Sequence, residues 1–317
     1  MEKKVKNKIW GCLLHLSFNM WEEYIWEGRP FRGYRPELEL DQKLWDDAIS
    51  TMSEEGCNLV VIDLGDAVRY ESHPEIAVKK AWSVERLYKE LERMRGLGLE
   101  PIPKLNFSAG HDTWMGDYSR MVSTDEYYQF CTEIINEVSS IFGHPRFFHL
   151  GMDEESSSHQ QHNKVVVQRL NDAWWKDFLF LNDTVEKNGS RSWIWPDYML
   201  WNNHDIKNKP DQFFQKMPKS VVQGNWYYKE VFNEEDTAVK AYRELNANGY
   251  DQIPTGSYHN YNTGSIGATV AFGKKNISDS HLLGFLQTFW RPTIEENRDR
   301  IIGGIKLLGE AKRKYYK

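Results

Sequence analysis

The sequence predicts a single (β/α)8 barrel of the α/β class, residues 1–317, with no separate N-terminal domain. Three observations predict it. Short apolar runs alternate with longer amphipathic ones eight times along the chain. No low-complexity linker or composition break divides those units, and barrels commonly exceed the usual domain size. No Gly-rich phosphate loop follows the first strand, as it usually would in an open doubly wound sheet, the competing arrangement.

Taken in order, Trp10 to Phe18 reads as strand one. Asp41 to Glu55 has helical spacing, with Leu44, Trp45, Ala48, Ile49 and Met52 on one face. Asn58 to Leu64 is strand two. A helix follows from about Ser83 to Leu97, opened by Ser83 with Arg86-Leu87 and closed by Gly96 and Gly98. Glu100 to Phe107 is strand three, with Pro101 and Pro103 near its start, and Thr124 to Phe142 is a long helix. Strand four begins at Phe147. Val165 to Asn188 is helical and ends at Gly189, a good C-cap. Ser192 to Trp195 is strand five and Pro210 to Met217 a short helix. Ser220 to Trp226 is strand six, followed by a helix from Glu234 to Asn248 that Gly249 stops. Gln252 to Tyr258 is strand seven, with a weak helix around Ile266 to Phe272. Leu282 to Trp290 is strand eight and Ile294 to Tyr315 the closing helix.

Composition narrows the partners. The chain is 40% hydrophobic and 27% charged, with a net charge of -6 that argues against nucleic acid. Its 13 Trp, 16 Tyr and 15 Phe are a rich aromatic supply, many of them core; an excess near polar loop residues would suit sugar stacking, since flat aromatics pack well on the apolar face of a sugar ring. Cys12, Cys57 and Cys131 are an odd set without paired spacing and read as buried thiols, with no disulfide framework and no metal motif. No cofactor is implied. No stretch is long and apolar enough to span a membrane. Lys3, Lys4, Lys6 and Lys8 precede the first apolar run, but His15 and Ser17 interrupt that run and it lacks a small-residue cleavage site. It therefore reads as a strand, not a signal peptide. The compartment stays open: cytoplasmic, or periplasmic or secreted if a leader has been removed. The oligomeric state is open too.

Chemistry in such a barrel sits at the C-terminal ends of the strands. There the sequence places Asn19, Trp21, Glu22 and Glu23 after strand one, and Asp63 and Asp66 after strand two. Strand three leads to Asn106, His111, Asp112 and Trp114. Strand five leads to Trp195 and Asp197, strand six to Asn225, Trp226 and Tyr227, strand seven to Tyr258, His259 and Asn260, and strand eight to Trp290 and Arg291. At the centre, the apolar run from Phe147 ends in Gly151-Met152-Asp153-Glu154-Glu155. Burying carboxylates is costly unless they are paired or sit in a functional cleft. The plainer alternative makes Asp153 a helix cap and the glutamates a solvated first turn. The gathering of acids and aromatics at one rim favours a carbohydrate cleft. His159 and His162 are three apart and could share a helix face as a metal site, but no further His or Cys stands at a suitable spacing, so a solvated loop is the stronger reading.

The stretch His149-Leu150-Gly151-Met152-Asp153-Glu154 resembles the His-x-Gly-Gly-Asp-Glu signature of glycoside hydrolase family 20, the β-N-acetylhexosaminidases, which also ends strand four. Lys104 to His111 is similar to the family's strand-three motif ending Pro-Gly-His, and Gly284 and Trp290 keep the strand-eight spacing. The chain also resembles gut-bacterial barrel proteins that carry only the generic name "Tat pathway signal protein". It departs from the family at several points. The second Gly of the signature is Met152, and the strand-three acids are Lys104 and Asn106. The strand-one Arg is not evident in Leu13 to Trp21, no acid follows Trp290-Arg291-Pro292, and the small α/β domain that usually precedes the barrel is missing.

The resemblance implies a bacterial retaining glycoside hydrolase, hexosaminidase-like and exo- or endo-acting, with carbohydrate as its partner. Glu154 is then the general acid, its pKa raised by an apolar aromatic wall. Asp153 orients a 2-acetamido group whose oxygen serves as nucleophile, one of the exceptions to the two-carboxylate scheme. Tyr258 is the candidate hydroxyl that steadies that oxygen. His111, His149, Trp195, Asp197, Asn225, Trp226, Trp290, Arg291 and Asp63 complete the expected substrate-binding set. Since adjacent strand residues point to opposite faces, Asp153 and Glu154 can share a site only if the chain bends as the strand ends. Arg291 suits a sulfate or carboxylate on the substrate, with Arg69 and Lys104 as further candidates. Two other classes stay open: a metal-dependent sugar isomerase or aldolase using Asp63, His111, Asp153 and Asp197, and a catalytically inactive carbohydrate-binding barrel.

Overall fold

The computed structural model describes residues 8–25, 31–202 and 210–316; Lys3, Lys4 and Lys6 of the N-terminal basic run lie outside them. Eight parallel strands appear in the expected order: β1 Ile9–His15, β2 Leu59–Asp63, β3 Glu100–Lys104, β4 Phe147–Gly151, β5 Arg191–Ile194, β6 Val222–Gln223, β7 Thr255–Ser257 and β8 Gly284–Thr288. The helices between and after them are α1 Gln42–Glu54, α2 Val84–Gly96, α3 Asp125–Ile141, α4 Asp172–Lys187, α5 Pro210–Lys216, α6 Thr237–Ala247, α7 Ser265–Asn276 and α8 Arg298–Tyr315. The sheet runs β6-β5-β4-β3-β2-β1-β8-β7. Bridges between Gln223 and Gln252 and between Trp226 and Thr255 join β6 to β7, and the barrel closes.

Local chemistry fixes the helix starts. Asp41 Oδ1 accepts the Leu44 N–H at 2.7 Å, Ser83 Oγ the Arg86 N–H at 3.2 Å and Thr124 Oγ1 the Tyr127 N–H at 3.2 Å. Each satisfies a backbone donor that the first helical turn leaves without a partner. The α4 helix departs from the sequence pattern, starting at Asp172 and not at Val165. Arg169 is drawn into a buried ion pair with Glu155, and Asn171 has φ +52°, which no helix accommodates. The weak helix of the seventh unit is longer than its pattern, and α8 begins only after a 3-10 turn over Glu295–Asn297.

Period-two alternation sorts the strand residues into two cores. Leu13, Leu59, Val61, Ile102, Trp193 and Leu286 fill the barrel interior. Leu14, Val60 and Ile62 face outward and pack with Trp45, Ile49 and Leu87 of the surrounding helices. Near the C-terminal ends the interior becomes polar. Lys104 Nζ lies 2.6 Å from Asp63 Oδ2, and His15 Nδ1 lies 3.2 Å from the same oxygen. Burial pushes the Asp63 carboxyl up, but Lys104 and His15 together hold it below its ordinary value. Cys12, Cys57 and Cys131 are buried and unbridged. Among the described residues no helix is long and apolar enough to cross a membrane.

Candidate active site

The site begins where β4 stops being a strand. Its pairing with β5 shifts register between His149 and Gly151, and left-handed φ values follow at Gly151 (+72°), Met152 (+75°) and Glu154 (+49°). Glycine is required at 151, because a Cβ there would stand 2.0 Å from Asn106 Oδ1. That oxygen accepts the Met152 N–H at 3.2 Å and the Ser108 N–H at 3.1 Å. Met152 is fully buried, so packing and this bond hold a conformation that side-chain-bearing residues rarely adopt.

The bend turns two successive carboxylates toward one imidazole. His111 Nε2 lies 3.4 Å from Asp153 Oδ2 and 3.4 Å from Glu154 Oε2. Asn106 Nδ2 donates to the other Asp153 oxygen at 2.8 Å. A second imidazole reaches Glu154 from the following loop, with His159 Nε2 3.1 Å from Oε2. The third acid of the run, Glu155, is fully buried and committed elsewhere. It accepts from Arg169 Nε at 3.0 Å and from the Ala109 N–H at 3.1 Å, which ties β4 to the loop that carries His111. The helix-cap alternative for this run therefore does not hold.

Burial alone would push the Glu154 carboxyl up, yet His111 and His159 outweigh it and hold Glu154 below the usual carboxylate range. The raised value expected from an apolar aromatic wall is thus reversed, because the basic nitrogens of two imidazoles reach this carboxyl. His159 moves the opposite way: burial lowers it, but Glu154, and then Asp153, raise it overall. Asp197 is raised well above its ordinary value, first by burial and then by the charges of Asp153 and Glu154. It accepts from Trp226 Nε1 at 3.1 Å and from the Glu154 N–H at 3.4 Å.

Above the acids opens a cavity of about 380 Å³, the size of a small-molecule site. Asp153, Glu154 and His159 line it together with Trp195, Trp226, Tyr228 and Trp290, and Trp21, Phe31, Arg32, His259, Asn260 and Arg291 complete the walls. Trp226 and Tyr228 stack with centroids 4.9 Å apart, and Trp290 Nε1 donates to the Tyr228 hydroxyl at 3.1 Å.

Nine residues that the sequence places at the rim thus meet in the cleft: Trp21, Asp153, Glu154, Trp195, Trp226, His259, Asn260, Trp290 and Arg291. His111 stands directly behind the acids. Others stand apart from the cleft lining. His149 is buried beneath it, accepting the Gly151 N–H at its Nδ1 (3.0 Å), and burial, then Lys104, depress its pKa. Asp63 and Lys104 are paired lower in the barrel. Asn225 accepts from Trp201 Nε1 at 2.8 Å and donates to the Ala238 carbonyl at 3.1 Å, both away from the cleft. Tyr258 packs on Gly303 and Gly304 of α8. Sequence reasoning missed Tyr228, His159 and Arg32. Alternation from Trp226 would have found Tyr228, since residues two apart share a face; Tyr227 points away and donates to Asp236 at 3.1 Å. His159, read as a solvated loop residue, is instead a Glu154 partner.

For a metal, His111, Asp153 and Glu154 offer one ligand atom each, all within 4.8 Å of one another. Asp63 does not join them, being held by Lys104.

No family model and no curated protein matches the chain. Solved structures match its fold. A β-N-acetylhexosaminidase from Bacteroides fragilis has a TM-score of 0.63 at 15% identity, covering 96% of this chain and 65% of its own. Flavobacterium johnsoniae chitobiase has a TM-score of 0.64 at 14% identity, covering 86% of this chain and 46% of its own. A variant of Streptomyces plicatus β-hexosaminidase, in complex with its product GlcNAc, has a TM-score of 0.63 at 12% identity, covering 98% of this chain and 68% of its own. The chain thus has the barrel fold seen in β-N-acetylhexosaminidases of glycoside hydrolase family 20, and spans from about half to two thirds of those proteins.

Proposed function

We propose that the protein is a retaining, hexosaminidase-like glycoside hydrolase, distantly related to family 20, with Glu154 as general acid and Asp153 orienting a 2-acetamido group. One observation carries the reading: a single imidazole nitrogen, His111 Nε2, stands 3.4 Å from both carboxylates at the edge of an aromatic-walled cavity. Asp153, fixed by Asn106 and His111, accepts the acetamido N–H. The acetamido oxygen then attacks the anomeric carbon as the glycosidic C–O bond breaks. The departing oxygen takes its proton from Glu154.

The pair Glu154–His159 holds that proton jointly, so the acid is a two-residue unit whose titration belongs to the pair. Asp197, raised by burial and by the charges of Asp153 and Glu154, resists ionising beside them and so limits the build-up of a third charge in the site. The hydroxyl expected from Tyr258 is better supplied by Tyr228, which lies in the cleft beside Trp290. The indoles of Trp195, Trp226 and Trp290 present faces and edges to the sugar ring.

The test is turnover of an aryl N-acetyl-β-hexosaminide by the wild type and by Glu154→Gln. Loss of a positioned general acid should lower kcat by about 100- to 10,000-fold, with the circular dichroism of the fold retained. Near-normal turnover in that variant would move the acid elsewhere. Glycan binding without any turnover would mark a binding barrel. A second reading, a metal-dependent isomerase or aldolase, has the His111–Asp153–Glu154 triad in its favour; metal analysis of the purified protein separates the two.

A further inference from the structure

The β7–β8 edge of the cleft carries arginines that no carboxylate pairs with among the described residues. Arg291 lines the cavity, with its guanidinium 4.3 Å from the centre of the Phe31 ring and Nη1 donating to the Trp290 carbonyl at 2.7 Å. Arg300 lies over Tyr261 at 4.1 Å, and its Nε and Nη1 are buried without a hydrogen-bond acceptor among the described residues. Neither arginine forms an ion pair among those residues. His259 lines the same wall, its Nδ1 3.0 Å from Ser257 Oγ. Tyr261, over which Arg300 lies, directly follows His259 and Asn260 of this wall, and burial, then Arg291 and Arg300, push the His259 pKa down to about 4. Burial and the neighbouring Arg300 likewise lower Arg291.

The chain has 46 acidic against 40 basic residues, so carboxylates are not scarce. A guanidinium on a cavity wall and a second one behind that wall, neither paired with a carboxylate among the described residues, favour a bound anion, and a planar fork matches the oxygens of a sulfate or carboxylate. We propose that Arg291 and Arg300, with His259, form an anion subsite that takes a sulfate or carboxylate group carried by the glycan in this cleft. The proposal rests on reading the cleft as a glycan site. It extends the charge that the sequence assigned to Arg291 alone: Arg300 joins it, while Lys104 is paired inside the barrel and Arg69 is exposed on a short ribbon strand.

Calorimetric titration with N-acetylglucosamine, its 6-sulfate and glucuronic acid tests it on the full chain. The expected result is at least tenfold tighter binding of one charged sugar than of the plain one. That ratio should fall toward one in Arg291→Ala and in Arg300→Gln, and partly in Arg291→Lys, which keeps the charge and loses the fork. A ratio is insensitive to the fraction of a variant that folds. Preference for the sulfated sugar assigns sulfate; preference for the uronic acid assigns carboxylate. Equal affinities, no binding of either charged sugar, or a preference that survives both substitutions would overturn the proposal. A charged-sugar preference in a protein without hydrolytic activity would leave the subsite standing and remove the hydrolase reading. Hydrolysis without any preference would do the reverse.

Discussion

His159 Nε2 lies 3.1 Å from Glu154 Oε2 while its Nδ1 lies 2.7 Å from Ser156 Oγ. The ring is fixed between a hydroxyl and a carboxylate, and each partner changes what the other does with a proton. Glu154 is easier to ionise than an ordinary carboxyl, and His159 harder to deprotonate than an ordinary imidazole.

The pH profile should report this pair. In the wild type the proton needed by the leaving group is lost only as pH rises through the raised His159 value. In His159→Asn that proton must reside on Glu154, which binds it less tightly than an imidazole does. The basic limb of kcat/KM should therefore move to lower pH by on the order of one to two units, the gap between ordinary imidazole and carboxyl values. An unmoved limb would exclude His159 from the proton-holding unit.

Gly151→Ala should cost about 2–4 kcal/mol of stability, combining left-handed strain with displacement of Asn106. The added methyl would meet Asn106 Oδ1 at 2.0 Å, and that side chain also holds Asp153 at 2.8 Å. Denaturant unfolding reads the loss, and turnover should fall with it. A change under about 0.5 kcal/mol, the scale of an ordinary surface substitution, would mean that Asn106 yields freely.

Glu155→Ala should destabilise the fold by about 3–5 kcal/mol, the usual consequence of stranding a buried partner. Arg169 would be left inside the protein with Asp177, at 3.4 Å, as its only remaining carboxylate among the described residues. The Ala109 N–H would lose its acceptor as well. Thermal unfolding of the variant checks this, and a shift within error would show that water reaches Arg169.

The eight units and the order of the strands were legible in the sequence because apolar periodicity carries them, and strand-end position put Asp153 and Glu154 at the rim, while their pairing came from the resemblance. Ser83 announced its helix through capping chemistry, whereas the caps Asp41 and Thr124 emerged only in the structure. What was hidden depended on tertiary placement. The start of α4 was masked by Val165, Val166 and Val167, whose spacing looks helical; a buried arginine and one left-handed asparagine decide the boundary. Tyr258 and His259 are neighbours, and only the register of a three-residue strand tells which one faces inward. Arg32 reaches the cleft from the segment after β1, where no periodicity operates. The depressed value of Glu154 could not be read at all, since His111 and His159 come to it from different loops.

The barrel is not stitched evenly. β1 and β2 pair over five residues, whereas β6 and β7 are two and three residues long and meet through isolated bridges. Asn106 and His111 follow β3 and the acids follow β4, and what ties these two strand ends is the Leu105 and Phe107 N–H groups bonding back to β4, the Asn106–Asp153 bond and the buried Glu155–Arg169 anchor. Trp226 and Tyr228 follow one lip of the thin seam and His259 the other. Separations across such a seam are set by few backbone bonds and change at small free-energy cost. On the proposed function the labour divides by stiffness: the side-chain-anchored half of the rim would aim the protons, and the lightly bridged half would fit the gape of the cleft to the girth of the glycan.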